Sequence, residues 1–516
     1  MHPAMDYRPA HDRRSLAFLL AFAAARPVIV LASLLRPEFG LFRDEFYYLA
    51  CADRLAFGYV DHPPFSIWVL AAWRAVAGDS LFSLRLLSGL IGAGIVFVAG
   101  LLTRQLGGSR KAQALACLIT LLAPVQLGVG GFFSMNVIEY LVVVVLAWLL
   151  VRILQGEDRR LWICFGIVLG IGVMNKHPLG VLALAMLAGL LFVPARSEFR
   201  RKEFWIGLAC AACIVLPNAI WQATHRFLSL EFYDRAAALK NVPTLPGKVV
   251  IDQIFGSNPI AVLVWGAGLW WLLRGRDRPA YRALGIAYLL MLAMMIAAQS
   301  NRVDRIASYV PVLAAAGAVA WERFFVARGL PAGLTAAMVV IALTGALLAP
   351  LVIPVLTPGA TAATMRRLGI EMAFEKGIRA ELPQSLADRC GWSELSDSVA
   401  AVYDRLPERE RRSAVLVGEN YGEAGALEYY GRARGLPRVI SGHNSYWVWG
   451  PGRPAEVYVA VGNSRSGLEQ VFGDVQEGTR TGSGWQMNYE RRVPIWVCRR
   501  LKVALSDAWP AAKMFI

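Results

Sequence analysis

Two acidic side chains in succession, Asp44 and Glu45, stand shortly before Asp61-His62-Pro63-Pro64. A carboxylate so placed can orient or deprotonate a hydroxyl group. It can equally begin a helix, with Asp44 capping one that starts at Glu45. His62 can meet a phosphate or a metal, or it can bond a backbone carbonyl and fix the Pro63-Pro64 turn, which Asp61 would steady. Further along, Asn175-Lys176-His177 lies between two apolar runs. A lysine at that depth is costly unless it snorkels to the surface or meets an anion, and a lipid phosphate is such an anion. Asn301-Arg302-Val303-Asp304-Arg305 raises the same question, with local pairing of Arg305 and Asp304 as the plain alternative.

These residues must be carried by membrane-spanning helices. Of 516 residues, 56% are hydrophobic and only 17% charged, too few charges to cover a soluble protein of this size. The net charge of +16 does not mark a nucleic-acid binder, because Lys and Arg gather in short clusters between apolar runs. Runs long enough to cross a bilayer are expected near 15–35, 82–103, 112–129, 132–154, 160–174, 178–194, 204–222, 257–273, 281–298, 305–324 and 331–353, about eleven spans in all. The pair around Pro178 reads either as two short helices or as one kinked region.

The basic residues orient these spans. With Arg8, Arg13 and Arg14 in the cytoplasm, alternate connections carry Arg104/Arg110/Lys111, Arg152/Arg159/Arg160, Arg196/Arg200/Arg201/Lys202, Arg274/Arg276/Arg278 and Arg323/Arg328. The N-terminus is then cytoplasmic. The connections 36–81 and 223–256, and everything after about 355, are extracytoplasmic. Residues 45–57 are expected to form an interfacial helix with Phe46, Leu49, Ala50 and Phe57 towards the membrane. The boundaries follow: 1–355 is a multi-span domain and 356–516 a soluble α/β domain. The latter shows strand-length runs at 414–417 and 457–461 and a helical stretch at 423–434. A Cys390–Cys498 disulfide would suit an oxidising compartment.

An acidic pair in the first outer loop, an interfacial helix and Gly58-Tyr59-Val60-Asp61-His62-Pro63-Pro64 together resemble the bacterial branch of the GT-C superfamily. That branch includes protein mannosyltransferase-like and lipid A aminoarabinose transferase-like enzymes. The resemblance extends into the tail through Glu419-Asn420-Tyr421-Gly422 and Ser441-Gly442-His443-Asn444-Ser445-Tyr446-Trp447. It implies a mainly α, polytopic membrane glycosyltransferase of the bacterial plasma membrane. The donor would be a polyprenyl-phosphate sugar and the acceptor a lipid, a glycan or a protein.

By the same resemblance Asp44 is the base that orients the acceptor, with Glu45 beside it as a ligand or orienter. The departing phosphate would be held by Lys176, Arg302, Arg305 and His62, with His177 and Tyr309 as secondary candidates; His443, in a polar-aromatic cluster with Asn444, Tyr446 and Trp447, would either contact sugar or acceptor or belong to a packed loop. The family often has a second acid at the outer start of the fourth span. Here that place holds Asn136, with Glu139 three residues on along the same helix face. A divalent metal is the one cofactor left open. The rival readings are a lipid-linked sugar transporter or flippase, whose ionisable residues should sit near span centres, and a non-catalytic scaffold of the same fold.

Overall fold

The computed structural model describes residues 13–240, 242–275, 279–299, 304–370 and 380–516. It divides into two compact units: residues 1–35, 82–219 and 242–355, and residues 36–81, 220–241 and 356–516.

The first unit is helical. Each of the eleven apolar runs contains helix, and among the described residues seven helices are long and apolar enough to cross a membrane, or eight if a bent pair counts as one. The shortfall has local causes. The run expected over 112–129 breaks into Arg110–Leu122 and Pro124–Val129, because Pro124 lacks an N–H and holds Ala123 extended (φ −62°, ψ 124°). Buried Arg26 meets this break, donating to Leu121 O at 3.3 Å and to Gln126 O. The region around Pro178 resolves into two helices, Leu161–Asn175 and Pro178–Leu191. Lys176 between them is extended, and Pro178 takes the first helical turn, where its missing N–H costs nothing. Residues 257–261 lie outside the next helix, which covers only Val262–Arg274. That helix packs backbone-to-backbone on Val310–Ala327. A Cβ on Gly268 would overlap Leu313 O, and one on Gly317 would overlap Val264 O.

The second unit is built around five strands: β1 (Val415–Gly418), β2 (Val439–Ile440), β3 (Val457–Val461), β4 (Phe472–Arg480) and β5 (Pro494–Leu501). Their order is β2-β1-β3-β5-β4, with β1 parallel to β2 and β3, and β5 antiparallel to β3 and β4. Every residue of β3 is buried, which is why it reads as an unbroken apolar run rather than an alternation. Tyr458, Phe472 and Trp496 anchor the core beside it. Cys390 and Cys498 are both free and belong to different hydrophobic clusters, so the expected disulfide is absent. Cys210 and Cys213, spaced as Cys-x-x-Cys on the apolar helix Lys202–Thr224, are free as well.

The first outer connection folds into this second unit. Its helix covers Arg43–Ala52 rather than 45–57, and Tyr59 closes its end by donating to the carbonyls of Cys51 (3.1 Å) and Arg54 (3.2 Å). Phe46, expected to face the membrane, is fully buried between Trp392, Tyr429 and Tyr430, with ring centroids at 5.7 Å in each case. Periodicity marks an apolar face without saying whether lipid or protein covers it. Here it is the helix Tyr421–Arg432. A Cβ on Gly425 would lie 2.8 Å from the Phe46 backbone, so glycine sets how closely the two helices meet.

Candidate active site

The helix Arg43–Ala52 begins two residues earlier than expected, and this separates the two acids. Glu45 occupies the third helical position and accepts from the Phe42 N–H at 2.7 Å. It is 1% exposed and satisfies one of the orphan donors of the helix start. Capping is therefore done by Glu45, not by Asp44.

Asp44 keeps a side chain that is one-third exposed. It accepts from the Tyr421 hydroxyl at 2.8 Å and lies 3.7 Å from the Arg43 guanidinium. Burial, reinforced by Asp44 and opposed by Arg43, holds the Tyr421 phenol well above its ordinary range, so it stays a donor. Arg43 in turn lies over the Tyr421 ring (5.4 Å), bonds the Tyr489 hydroxyl and faces Asp388 at 3.9 Å. Burial raises the Asp388 carboxyl while Arg43 opposes the rise.

A second group lies on the same helix. The Tyr47 hydroxyl is 2.7 Å from both Asp61 Oδ1 and Ser445 Oγ. Burial raises the Asp61 carboxyl, against His62 and the Tyr47 bond. His62 is wholly buried among the rings of Tyr47, Tyr48 and Tyr59, and its Nδ1 is 2.9 Å from Pro63 O. That contact is the turn-fixing alternative, although Nε2, 3.9 Å from Asp61, has no hydrogen-bond partner. His443 packs edge-on against Tyr421 at 4.6 Å, accepts from its N–H at 3.4 Å and donates to Ile516 O at 2.9 Å. Burial lowers its pKa to about 3, so it is a neutral packing residue at pH 7.

In the helical unit, Lys176 is held by both residues of the unusual fourth span. Its Nζ is 2.7 Å from Asn136 Oδ1 and 2.6 Å from Glu139 Oε2. Ser134 caps that helix through the Asn136 N–H, which leaves the Asn136 side chain facing Lys176. His177 Nε2 lies 2.9 Å from Asn218 Oδ1. Tyr309 is buried and donates to Leu284 O at 2.9 Å, a helix-packing bond. Arg305 is exposed on the short helix Asp304–Ala307, and Arg302 falls outside the described residues.

Among the described residues no three His, Cys, Asp or Glu side chains converge as a metal cage. The donor set around Asp44 does not fit one, since Asp61 is bonded to Tyr47 and Glu45 to backbone.

Arg43, Tyr47, Tyr421, Asp388 and Tyr489 escaped the sequence reading as site residues. Asn420-Tyr421-Gly422 was visible as a segment, but nothing local ties a tyrosine to a carboxylate 377 positions away.

Next to Tyr421, Glu423 caps its helix through the N–H groups of Glu419 (2.6 Å) and Asn420 (3.2 Å), while Asn420 Nδ2 holds Glu490 at 2.9 Å. Burial raises both carboxyls, Glu490 to about 7, and their mutual repulsion adds to the rise at Glu423. An acid whose folded pKa is raised stabilises the fold most when protonated in both states. That contribution is lost as pH climbs from the ordinary glutamate range through about 7. The second unit should therefore unfold at lower temperature at pH 8 than at pH 5, and Glu490→Gln should flatten that slope. Thermal melts of both proteins across this range check it; an unchanged slope in Glu490→Gln would remove Glu490 as its source.

Residues 61–221 match the protein family described as dolichyl-phosphate-mannose-protein mannosyltransferase. The lipopolysaccharide core galacturonosyltransferases RgtB and RgtA of Rhizobium johnstonii are 27% and 28% identical to the chain over 222 and 193 residues. These stretches cover 41% and 35% of this chain, and 43% and 37% of the relatives, less than half of either one. Over nearly its whole length the chain has the fold of ArnT from Cupriavidus metallidurans, solved with bound undecaprenyl phosphate. The TM-score is 0.60 at 15% identity, covering 93% of this chain and 98% of that one. At that identity the likeness is one of fold.

Proposed function

We propose that this chain, a multi-pass membrane protein of the GT-C superfamily, transfers a sugar from a polyprenyl-phosphate carrier to an extracytoplasmic lipid, glycan or protein acceptor. The observation that carries the reading is the division of labour between Asp44 and Glu45. The buried acid caps the helix, and the exposed acid is aimed by a tyrosine that cannot take its proton. A carboxylate with its capping duty removed and one oxygen fixed is suited to hold and deprotonate an acceptor hydroxyl. As that oxygen attacks the anomeric carbon, the carrier phosphate leaves with the bonding electrons. Cationic side chains would stabilise the growing negative charge.

Arg305 and Arg302 are the side chains we assign to that phosphate. Lys176 would join them only by exchanging Glu139 for the phosphate, since it already holds a carboxylate. His62 and Asp61 steady the turn beside the Asp44 helix. The transporter reading gains nothing from Asp44 or Asp61, which lie in the unit that contains the sheet.

Purified protein incubated with labelled polyprenyl-phosphate sugars tests the reading directly. Release of the carrier phosphate, dependent on an acceptor and on Asp44, is the expected result; an intact donor with every acceptor class would end it. The same reading sets the second unit outside the cytoplasm. A thiol introduced near Gly442, though not at Gly442 itself, where a Cβ would overlap Ala512 O, should then react with an impermeant reagent on intact cells, and protection there would reverse the topology.

Tyr421→Phe isolates the aiming bond. The ring and its contacts with His443 and Arg43 remain, while the 2.8 Å bond to Asp44 is lost. A hydrogen bond to a charged group contributes about 1.5–3 kcal/mol, so kcat should fall roughly tenfold or more. The donor KM should stay unchanged, and a rise in KM alone would place Tyr421 in binding instead.

A further inference from the structure

The helices Val262–Arg274 and Val310–Ala327 touch at Gly268 and Gly317. Residues of both helices line a groove of about 500 Å³. Its floor is Ala267 and Ala320, and its walls are aromatic, with Trp270 65% and Phe324 48% exposed. Two guanidinium groups stand at its mouth, Arg274 over Trp270 and Arg323 over Trp271, each at 5.3 Å from the ring.

This composition is specific in its chemistry. Tryptophans collect where hydrocarbon meets headgroups, because an indole has an apolar body and one polar N–H. Here the Trp321 N–H is already bonded to Leu263 O, which leaves the ring as apolar wall. At 5.3 Å from an indole centroid a guanidinium is within reach of the ring's cation–π attraction, and its planar fork of N–H donors matches phosphate. The volume suits a ligand of a few hundred Å³, and small residues on the floor leave room for the upper part of an acyl chain. Arg274 and Arg323 also belong to two connections that the basic pattern assigns to the same face of the membrane.

We propose that this groove is a binding site for an anionic glycerophospholipid, the phosphate between Arg274 and Arg323 and the first methylenes of a chain along Trp270, Trp271 and Trp321. Basic, aromatic-lined pockets between transmembrane helices recognise such headgroups through charge and geometry together. The lipid would bridge the two helices at a place that carries no residue of the proposed transfer reaction.

Native mass spectrometry of the delipidated full chain in detergent, titrated with phosphatidylglycerol or with phosphatidylcholine of the same chains, tests the proposal. Phosphatidylglycerol should bind at least tenfold more tightly. Arg274→Ala/Arg323→Ala should bring it down to the phosphatidylcholine level, and Ala320→Trp, which fills the floor, should weaken both lipids. Equal binding of the two lipids overturns the proposal, as does phosphatidylglycerol binding that survives both variants. Undecaprenyl phosphate displacing phosphatidylglycerol at a tenth of its concentration would overturn the glycerophospholipid assignment. Two variants guard against a folding artefact, since the arginine pair lies at the groove mouth and Ala320 on its floor.

Discussion

Asp44→Asn should reach the membrane at wild-type levels, melt at the wild-type temperature and turn over at least about a hundredfold more slowly, the range typical of losing a general base. The structure sharpens this expectation. Had Asp44 been the helix cap, Asn would preserve the function and Ala would weaken it, since Asn caps as well as Asp. The cap is Glu45, so Asp44→Asn and Asp44→Ala should be equally folded and equally inactive. Glu45→Ala should show the opposite signature. It frees the Phe42 N–H, costs about 1 kcal/mol of local stability and leaves the chemistry largely in place. An active, well-folded Asp44→Asn enzyme would remove the base assignment altogether.

The second large effect concerns Lys176. Its ammonium and the Glu139 carboxylate are 13% and 7% exposed, and Asn136 shares the same nitrogen. Removing one member of a buried pair typically destabilises by about 3–5 kcal/mol, because the partner charge loses that counterpart while staying buried. Lys176→Met should therefore lower the unfolding temperature and the yield of folded protein sharply. Lys176→Met/Glu139→Gln, which removes both charges, should recover most of that loss. The double variant then reports on function alone. If it still consumes donor at the wild-type rate, Lys176 serves to hold helices together and the phosphate rests with the arginines of 302–305. A wild-type melting temperature in Lys176→Met would instead show the pair to be solvated.

What could be read from the sequence divides along a physical line. Helix positions in the first unit were legible because lipid demands long apolar runs, and each run produced helix close to its expected place. Lengths were not, because hydropathy averages over Pro124 and Pro178, whose effect on the preceding residue is a matter of backbone sterics. The strands β1 and β3 were legible for the same reason as the spans: they are buried on both faces and therefore unbroken.

The acids were found by type, yet their roles depended on two residues of register. A helix that starts at Arg43 instead of Glu45 moves the cap from one carboxylate to the other. Phe46 shows the remaining limit. Its place on an apolar face was evident from spacing, whereas the rings that cover it lie roughly 350 to 380 positions further on and were not. The same limit hid Tyr421, which no local pattern links to Asp44.

Those distances in sequence are also intervals of time. Asp44 and Tyr421 are 377 residues apart. At a synthesis rate of about 5–20 residues per second, the carboxylate exists for on the order of 20 to 75 seconds before the hydroxyl that aims it has been made. Through that interval the helix Arg43–Ala52 has neither Trp392 nor the Tyr421 helix to cover Phe46. A growing chain can thus hold most of its spans in the bilayer and still lack a site. Assembly of that site is a late event, gated by translation of the sheet-containing segment, and a factor that shields the exposed apolar face of the early helix would act in this window and at no other.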